Sequence, residues 1–190
     1  MNSLRKTIMI ISMIVIISTL ILPGCPDGEE RGGADVQNIL NELELSVFEQ
    51  INQYRAKQGL TPLVIDIQIV TQARNHSQNM AEGTVPFSHE GLEERAAATG
   101  IKIESVSENV AYYQEVPDVA TRVVNGWLQS EAHHKNIVGD FNLTGIGIIQ
   151  NTSGRYYFTQ IFIRSSESNW FSFSWLPFWR RQDNLSKRND

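Results

Sequence analysis

Trp127-Leu128-Gln129-Ser130-Glu131-Ala132-His133-His134-Lys135-Asn136-Ile137-Val138 is the stretch from which the fold can be read outward. It closes an apolar-faced helical run on a tryptophan, then sets two of the chain's four histidines side by side. Imidazole titrates nearest neutral pH and is the commonest metal ligand. A His pair in a chain this poor in His therefore marks where chemistry is to be sought. Upstream, Pro117 and Asp118 open the helix, and Val119, Val123, Val124 and Trp127 recur at helical spacing on its inner face. Downstream, Leu143 to Ile149 is rich in β-branched residues, with glycine at the alternate positions 145 and 147. Asn151-Thr152-Ser153-Gly154 then reads as a turn and Tyr156 to Ile163 as a second strand.

Further back, Leu40, Leu43, Val47, Ile51 and Tyr54 form one apolar helix face, ended by Gly59 and Pro62. Asp66 is placed to cap a second helix, whose inner face is Ile69, Ala73, His76 or Ser77, and Met80, closed by Gly83 and Pro86. Phe87-Ser88-His89-Glu90-Gly91 is a loop, and a short helix follows from Leu92 to Ala98. Ile101, Ile103 and Val106 lead an extended segment into Glu108-Asn109-Val110-Ala111. Helices, then a helix between strands, then a hairpin predict an α+β fold with a small antiparallel sheet packed on helices.

The 190 residues are 41% hydrophobic and 19% charged, which suits one domain with appendages. A net charge of −5 without a basic, aromatic-interleaved cluster in the central region excludes nucleic acid as the expected partner. No phosphate-cradling glycine loop occurs. Residues 1–24 read as a signal peptide: Arg5 and Lys6, then an almost unbroken apolar run from Ile8 to Leu22. Leu22-Pro23-Gly24-Cys25 resembles the lipobox of bacterial lipoproteins and makes Cys25, the one cysteine, a lipidation site. The expected location is extracytoplasmic, anchored to the membrane; an uncleaved anchor or plain secretion are the alternatives. Residues 25–36, rich in Gly, Asp and Glu, read as a tether, and 37–165 as the folded domain. Residues 166–190 are a tail holding three of the four Trp, suited to a membrane interface or to folding back on the domain.

Five motifs in order resemble the CAP superfamily (cysteine-rich secretory proteins, antigen 5 and pathogenesis-related proteins), in its bacterial extracellular branch. They are Asn52-x-x-Arg55 with Gly59-Leu60-x-Pro62-Leu63; Phe87-Ser88-His89 with Gly91; Glu108-Asn109-Val110-Ala111; Trp127-x-x-Ser130-x-x-His133-x-x-Asn136-Ile137; and Tyr157-x-Thr159-Gln160-Ile161-Phe162. The resemblance implies a three-layer α-β-α sandwich and site residues His89, Glu108 and His133. The expected cleft is lined by His89, Glu108, Asn109, Ser130, His133, Tyr157 and Gln160. Ser107 replaces a glycine of the pattern, Glu131-Ala132 replaces Pro-Gly, and Tyr157 stands where eukaryotic members carry a second His.

Two imidazoles and one carboxylate, His89, His133 and Glu108, are the minimum set for Zn²⁺ or another divalent cation with one position open. Ser130, three residues before His133, gives a nucleophilic alternative, though a Ser at that place is more often an N-cap. A structural alternative makes Glu108 and His133 a buried hydrogen-bonded pair, with Asn109, Asn136 and Gln160 satisfying backbone groups and His76 a helix-face residue without chemistry. The function expected is a non-catalytic module binding a lipid, a cell-wall component or a protein. A hydrolase using His89, Glu108 and His133, with or without metal, is the alternative.

Overall fold

The computed structural model describes residues 28–114 and 117–166, with side chains from Asn41 onward. The signal segment, Cys25 and the tail from residue 167 lie outside the described residues. The elements run α1 (Gly28–Lys57), β1 (Val64–Ile65), α2 (Ile67–Glu82), α3 (Leu92–Ala97), β2 (Ile103–Gln114), α4 (Val119–Gln129), α5 (Glu131–Val138), β3 (Leu143–Gln150) and β4 (Arg155–Ser165). The strands form one sheet in the order β1-β3-β4-β2. β4 pairs antiparallel with β3 on one side and with β2 on the other, Glu108 lying opposite Ile161. The sheet is not wholly antiparallel: β1 runs parallel to β3, with Val64 opposite Leu143. At two residues β1 is too short for sequence periodicity to reveal.

Helices cover both faces, giving the α+β three-layer arrangement. On one face, Val47 and Ile51 of α1, Val123 and Trp127 of α4 and Ile137 of α5 pack on Ile146, Ile148, Phe158 and Phe162. On the other, Ile69 and Ala73 of α2 pack on Ile161 and Ile163, and Met80 packs on Val110 and Tyr157. Because successive strand residues alternate between faces, β4 is buried without a break from Tyr157 to Ile163. The outer edge of β2 meets helix side chains: Trp127 Nε1 donates to Val110 O at 3.4 Å and Asn136 Nδ2 to Glu108 O at 3.1 Å.

α1 differs from expectation. It begins at Gly28, inside the stretch read as a tether over residues 25–36. Helix nucleation is the costly step, and the packed turns around Val47 and Ile51 supply it. Each further residue toward the N-terminus then adds a backbone hydrogen bond at little extra cost, despite the glycines.

The Asn52-x-x-Arg55 motif is a clamp on the loops. Asn52 donates from Nδ2 to Leu63 O at 3.0 Å and accepts from Leu63 N at 2.8 Å. Arg55 is 2% exposed and uses Nε and both terminal nitrogens on carbonyls of Thr61, Ile137, Gly139 and Phe141, at 2.8 to 3.2 Å. Its planar fork suits several fixed acceptors at once. Burial, partly offset by Asp140, holds its pKa below the ordinary value. Glu44 makes a third tie, accepting from Arg74 Nε at 2.8 Å and from the backbone N–H of Ile148 at 3.1 Å. α1, α2 and β3 are thereby fixed to one another.

Candidate functional site

Glu108 lies on the α2 face of β2, with its side chain wholly buried. Three elements bring groups to it. The loop after α2 carries His89, whose Nδ1 lies 3.0 Å from Oε1. α3 carries Arg95, whose guanidinium donates to Oε2 at 2.8 Å. α2 carries His76, whose Nε2 lies 4.0 Å from Oε1. The α3 entry depends on Gly91, which adopts φ +78°, a left-handed conformation that glycine takes without strain. From that turn Arg95 also reaches Glu90 O at 2.7 Å.

The protonation pattern follows from the partners. Glu108 only accepts when ionised, so His89 Nδ1 carries the proton and donates to it. Nε2 is the ring nitrogen without a hydrogen-bond partner among the described residues, and the His89 side chain is 52% exposed. His76 Nε2 lies 2.9 Å from the carbonyl oxygen of Ser88, so there too the nitrogen donates. Burial holds the His76 pKa below its ordinary value; the bond to Ser88 opposes this and Arg95 adds to it. At neutral pH the 4.0 Å approach to Glu108 is thus a contact with a neutral ring, not an ion pair. His133 is half-buried on α5. Burial lowers its pKa first, and the charge of His89 second. It therefore stays neutral at neutral pH.

α5 is fixed beside Glu108 through the backbone. Asn109 Nδ2 donates to His133 O at 3.2 Å, and Asn136 Nδ2 donates to Asn109 Oδ1 at 2.8 Å. The neighbouring His134 turns away, with Nε2 2.8 Å from the Tyr54 hydroxyl.

His89 and Glu108 are in direct contact, and His133 lies within the electrostatic reach of His89. The hydrogen-bonded partner of Glu108 on the histidine side is His89 rather than His133. Asn109 and Gln160 are fully buried and so do not line an open cleft; they pair across β2 and β4 on the opposite sheet face from Glu108, toward α1, α4 and α5. Tyr157 is 9% exposed and packs with Met80 and Val110. Ser130 occupies the N-cap position of α5 without a side-chain cap bond. Among the described residues its hydroxyl makes no bond to His133, so the nucleophilic pairing is not assembled.

The three-ligand metal set does not fit either. Glu108 has one oxygen bonded to His89, the other to Arg95, and no exposure. Among the described residues no group of three or more His, Cys, Asp or Glu side chains converges as a metal shell. Two residues that sequence reasoning passed over, His76 and Arg95, complete the surroundings of Glu108. His76 satisfied a helical pattern and gave no further signal. Arg95, four residues after Gly91 on a short helix, resembled any solvated charge. Two residues before His89 in the chain, Phe87 meets Tyr112 of β2; the two are 46% and 49% exposed, with ring centroids 4.9 Å apart in an edge-to-face contact. The Arg155 guanidinium lies 5.1 Å from the Tyr112 centroid.

Both depressed histidines make folding sensitive to acid. Above about pH 6.5 neither folded nor unfolded chain protonates them, and their stability contribution is whole. As pH falls below that value the unfolded chain takes up protons first, so stability drops until the lower folded pKa values are reached. Melting temperatures recorded from pH 7.5 to 5.0 should therefore decline below about pH 6.5, by up to about 1.4 kcal/mol per pH unit for each proton. His76→Gln should flatten that decline. A wild-type curve that is level across the range would refute the assignment of neutral, buried rings.

The chain matches the model of the cysteine-rich secretory protein family over residues 48–162, more than half its length, and it belongs to that family. It is 36% identical over 129 residues to YkwD of Bacillus subtilis (strain 168), covering 65% of this chain and 48% of that one. It is 32% identical over 135 residues to the membrane protein YlbC of the same organism, covering 67% of this chain and 36% of that one. The chain thus spans half or less of the length of these curated relatives. Among solved structures, an extracellular protein containing an SCP domain from Bacillus anthracis superposes with a TM-score of 0.59 at 28% identity, over 68% of this chain and 42% of that one. An outer surface protein of Borrelia burgdorferi shares the fold, with a TM-score of 0.58 at 22% identity, over 65% of this chain and 93% of that one.

Proposed function

We propose that this member of the cysteine-rich secretory protein family is a non-catalytic, extracytoplasmic binding module, held at the membrane through lipidated Cys25. Its working surface is the exposed edge of His89 with the Phe87–Tyr112 pair. There it meets a lipid, a cell-wall component or a protein. The observation that carries this reading is the state of Glu108. A carboxylate with both oxygens bonded and no exposure cannot exchange protons with a ligand; its part is to aim His89. Among the described residues no Ser, Thr or Cys side chain is hydrogen-bonded to that imidazole to complete an enzyme. Kinship with an extracellular protein supports the location. No helix among the described residues is long and apolar enough to cross a membrane.

A hydrolase remains the second reading, favoured by one feature: a base oriented by a carboxylate at 3.0 Å is also how an acid–base imidazole is held. Among the described residues no three His, Cys, Asp or Glu side chains are grouped as a three-ligand catalytic shell for zinc. One experiment separates the readings. The full chain carrying Cys25→Ser, which lacks the acylation site, is incubated with isolated peptidoglycan sacculi and with phosphatidylglycerol vesicles, and both bound protein and released fragments are measured. Wild-type His89 should give bound protein and no fragments, and His89→Ala should weaken binding at least about fivefold with an unchanged melting temperature. Fragments released by the parent chain and abolished in His89→Ala would make it an enzyme instead.

A further inference from the structure

Next to the Glu108 cluster, on the α2 side and sharing its His76 and Arg95, lies a cavity of about 590 Å³ that His89, Glu108 and His133 do not line. Its floor is a stripe of amides along α2: Gln72, Asn75 and Asn79, three and four residues apart and so on one helix face. Its far wall is Val85 and Pro86, and Glu90 and Arg95 close its end. We propose that this cavity is a second binding site, separate from the His89 edge, and that it takes a neutral, polyhydroxylated ring: one or two units of a carbohydrate.

Three observations carry the class of ligand. The amides each offer donors and an acceptor on one short side chain, the pairing that adjacent hydroxyl groups need. The lining charges are one of each sign, Glu90 and Arg95, and Arg95 already answers the buried Glu108 at 2.8 Å. An anionic ligand would meet Glu90 at the wall and Glu108 behind it, and a cationic one would meet Arg95. A neutral ligand meets no unbalanced charge. The volume lies within the range of small-molecule sites, and Val85 with Pro86 supplies an apolar wall for the C–H face of a ring.

The proposal goes beyond the binding reading above and does not depend on it. Its test is saturation-transfer NMR on the full chain with two probes, neutral diacetylchitobiose and anionic digalacturonate. The neutral disaccharide should bind and the anionic one should bind at least about tenfold more weakly. Asn75→Ala and Asn79→Ala alter exposed side chains, so the fold should hold while binding of the neutral probe falls at least about tenfold. His89→Ala should leave that binding in place. The proposal is overturned if neither probe binds at millimolar concentration, if the anion binds as well or better, or if both Asn variants bind like wild type. Loss in His89→Ala would also overturn it, because the ligand would then belong to the His89 edge.

Discussion

Glu108→Gln should unfold the domain far more readily than any change at the exposed histidine it contacts. The substitution keeps the shape and removes the charge. Arg95, whose side chain is only 13% exposed, is then left as a buried cation without its counter-ion. Removing one partner of such a pair costs about 3–5 kcal/mol, because the survivor still bears its desolvation. For a domain of this size that is a fall in Tm on the order of 10 °C. His89→Ala deletes a ring that is 52% exposed and one hydrogen bond, so it should cost about 1 kcal/mol or less. Arg95→Leu alone should be harmful, and Glu108→Leu with Arg95→Leu less so than the two single costs together, with a coupling of about 1 kcal/mol or more. Thermal melts of the four chains decide the matter. Additive costs would mean that Glu108 and Arg95 do not depend on each other. His89→Ala as damaging as Glu108→Gln would make the imidazole structural, and the binding reading would go with it.

That cluster also shows how far the sequence could be read. His89 and Glu108 were legible because each sits in a short motif whose spacing carries information. The contact between them was legible only as an expectation, since 19 residues separate them along the chain. His76 was illegible for a physical reason: it falls on the same α2 face as Ile69, Ala73 and Met80, so periodicity accounts for it completely. Only the placement of α2 against the sheet reveals that this face meets Glu108. Gln160 erred in the opposite direction. Its motif suggested a cleft, but even-numbered residues of β4 point to the α1 and α4 layer, and both faces are covered. The caps were simpler, because they are local. Asp66 does accept from the N–H groups of Gln68 and Ile69, as a residue before a helix should. Ser130 has the same sequence credentials and makes no such bond.

The alternate glycines of β3 support the second large effect. Gly147→Ala places a Cβ against backbone atoms of Ala73 and Arg74, closer than the 3.0 Å that real Cβ atoms respect. Backbone cannot swing aside as a side chain can, so α2 must lift from the sheet. Overpacking costs about 1–3 kcal/mol where side chains can adjust, and here the cost should exceed that range. The lift also strains the Ser77 hydroxyl, which donates to Gly147 O at 2.9 Å and lies 2.8 Å from Thr159 Oγ1. Gly126→Ala is the control: its Cβ would crowd the hydroxyl end of the half-buried Tyr113 side chain rather than backbone, so the loss should be smaller than for Gly147→Ala. The consequence reaches the site, because α2 holds His76 and leads directly into the loop of Ser88 and His89. In folded Gly147→Ala protein the His76 bond to Ser88 O should loosen and the His89 ring resonances should broaden by NMR. A variant that melts within about 2 °C of wild type would show that α2 does not rest on the β3 backbone. The seat proposed for His89 would then have no foundation.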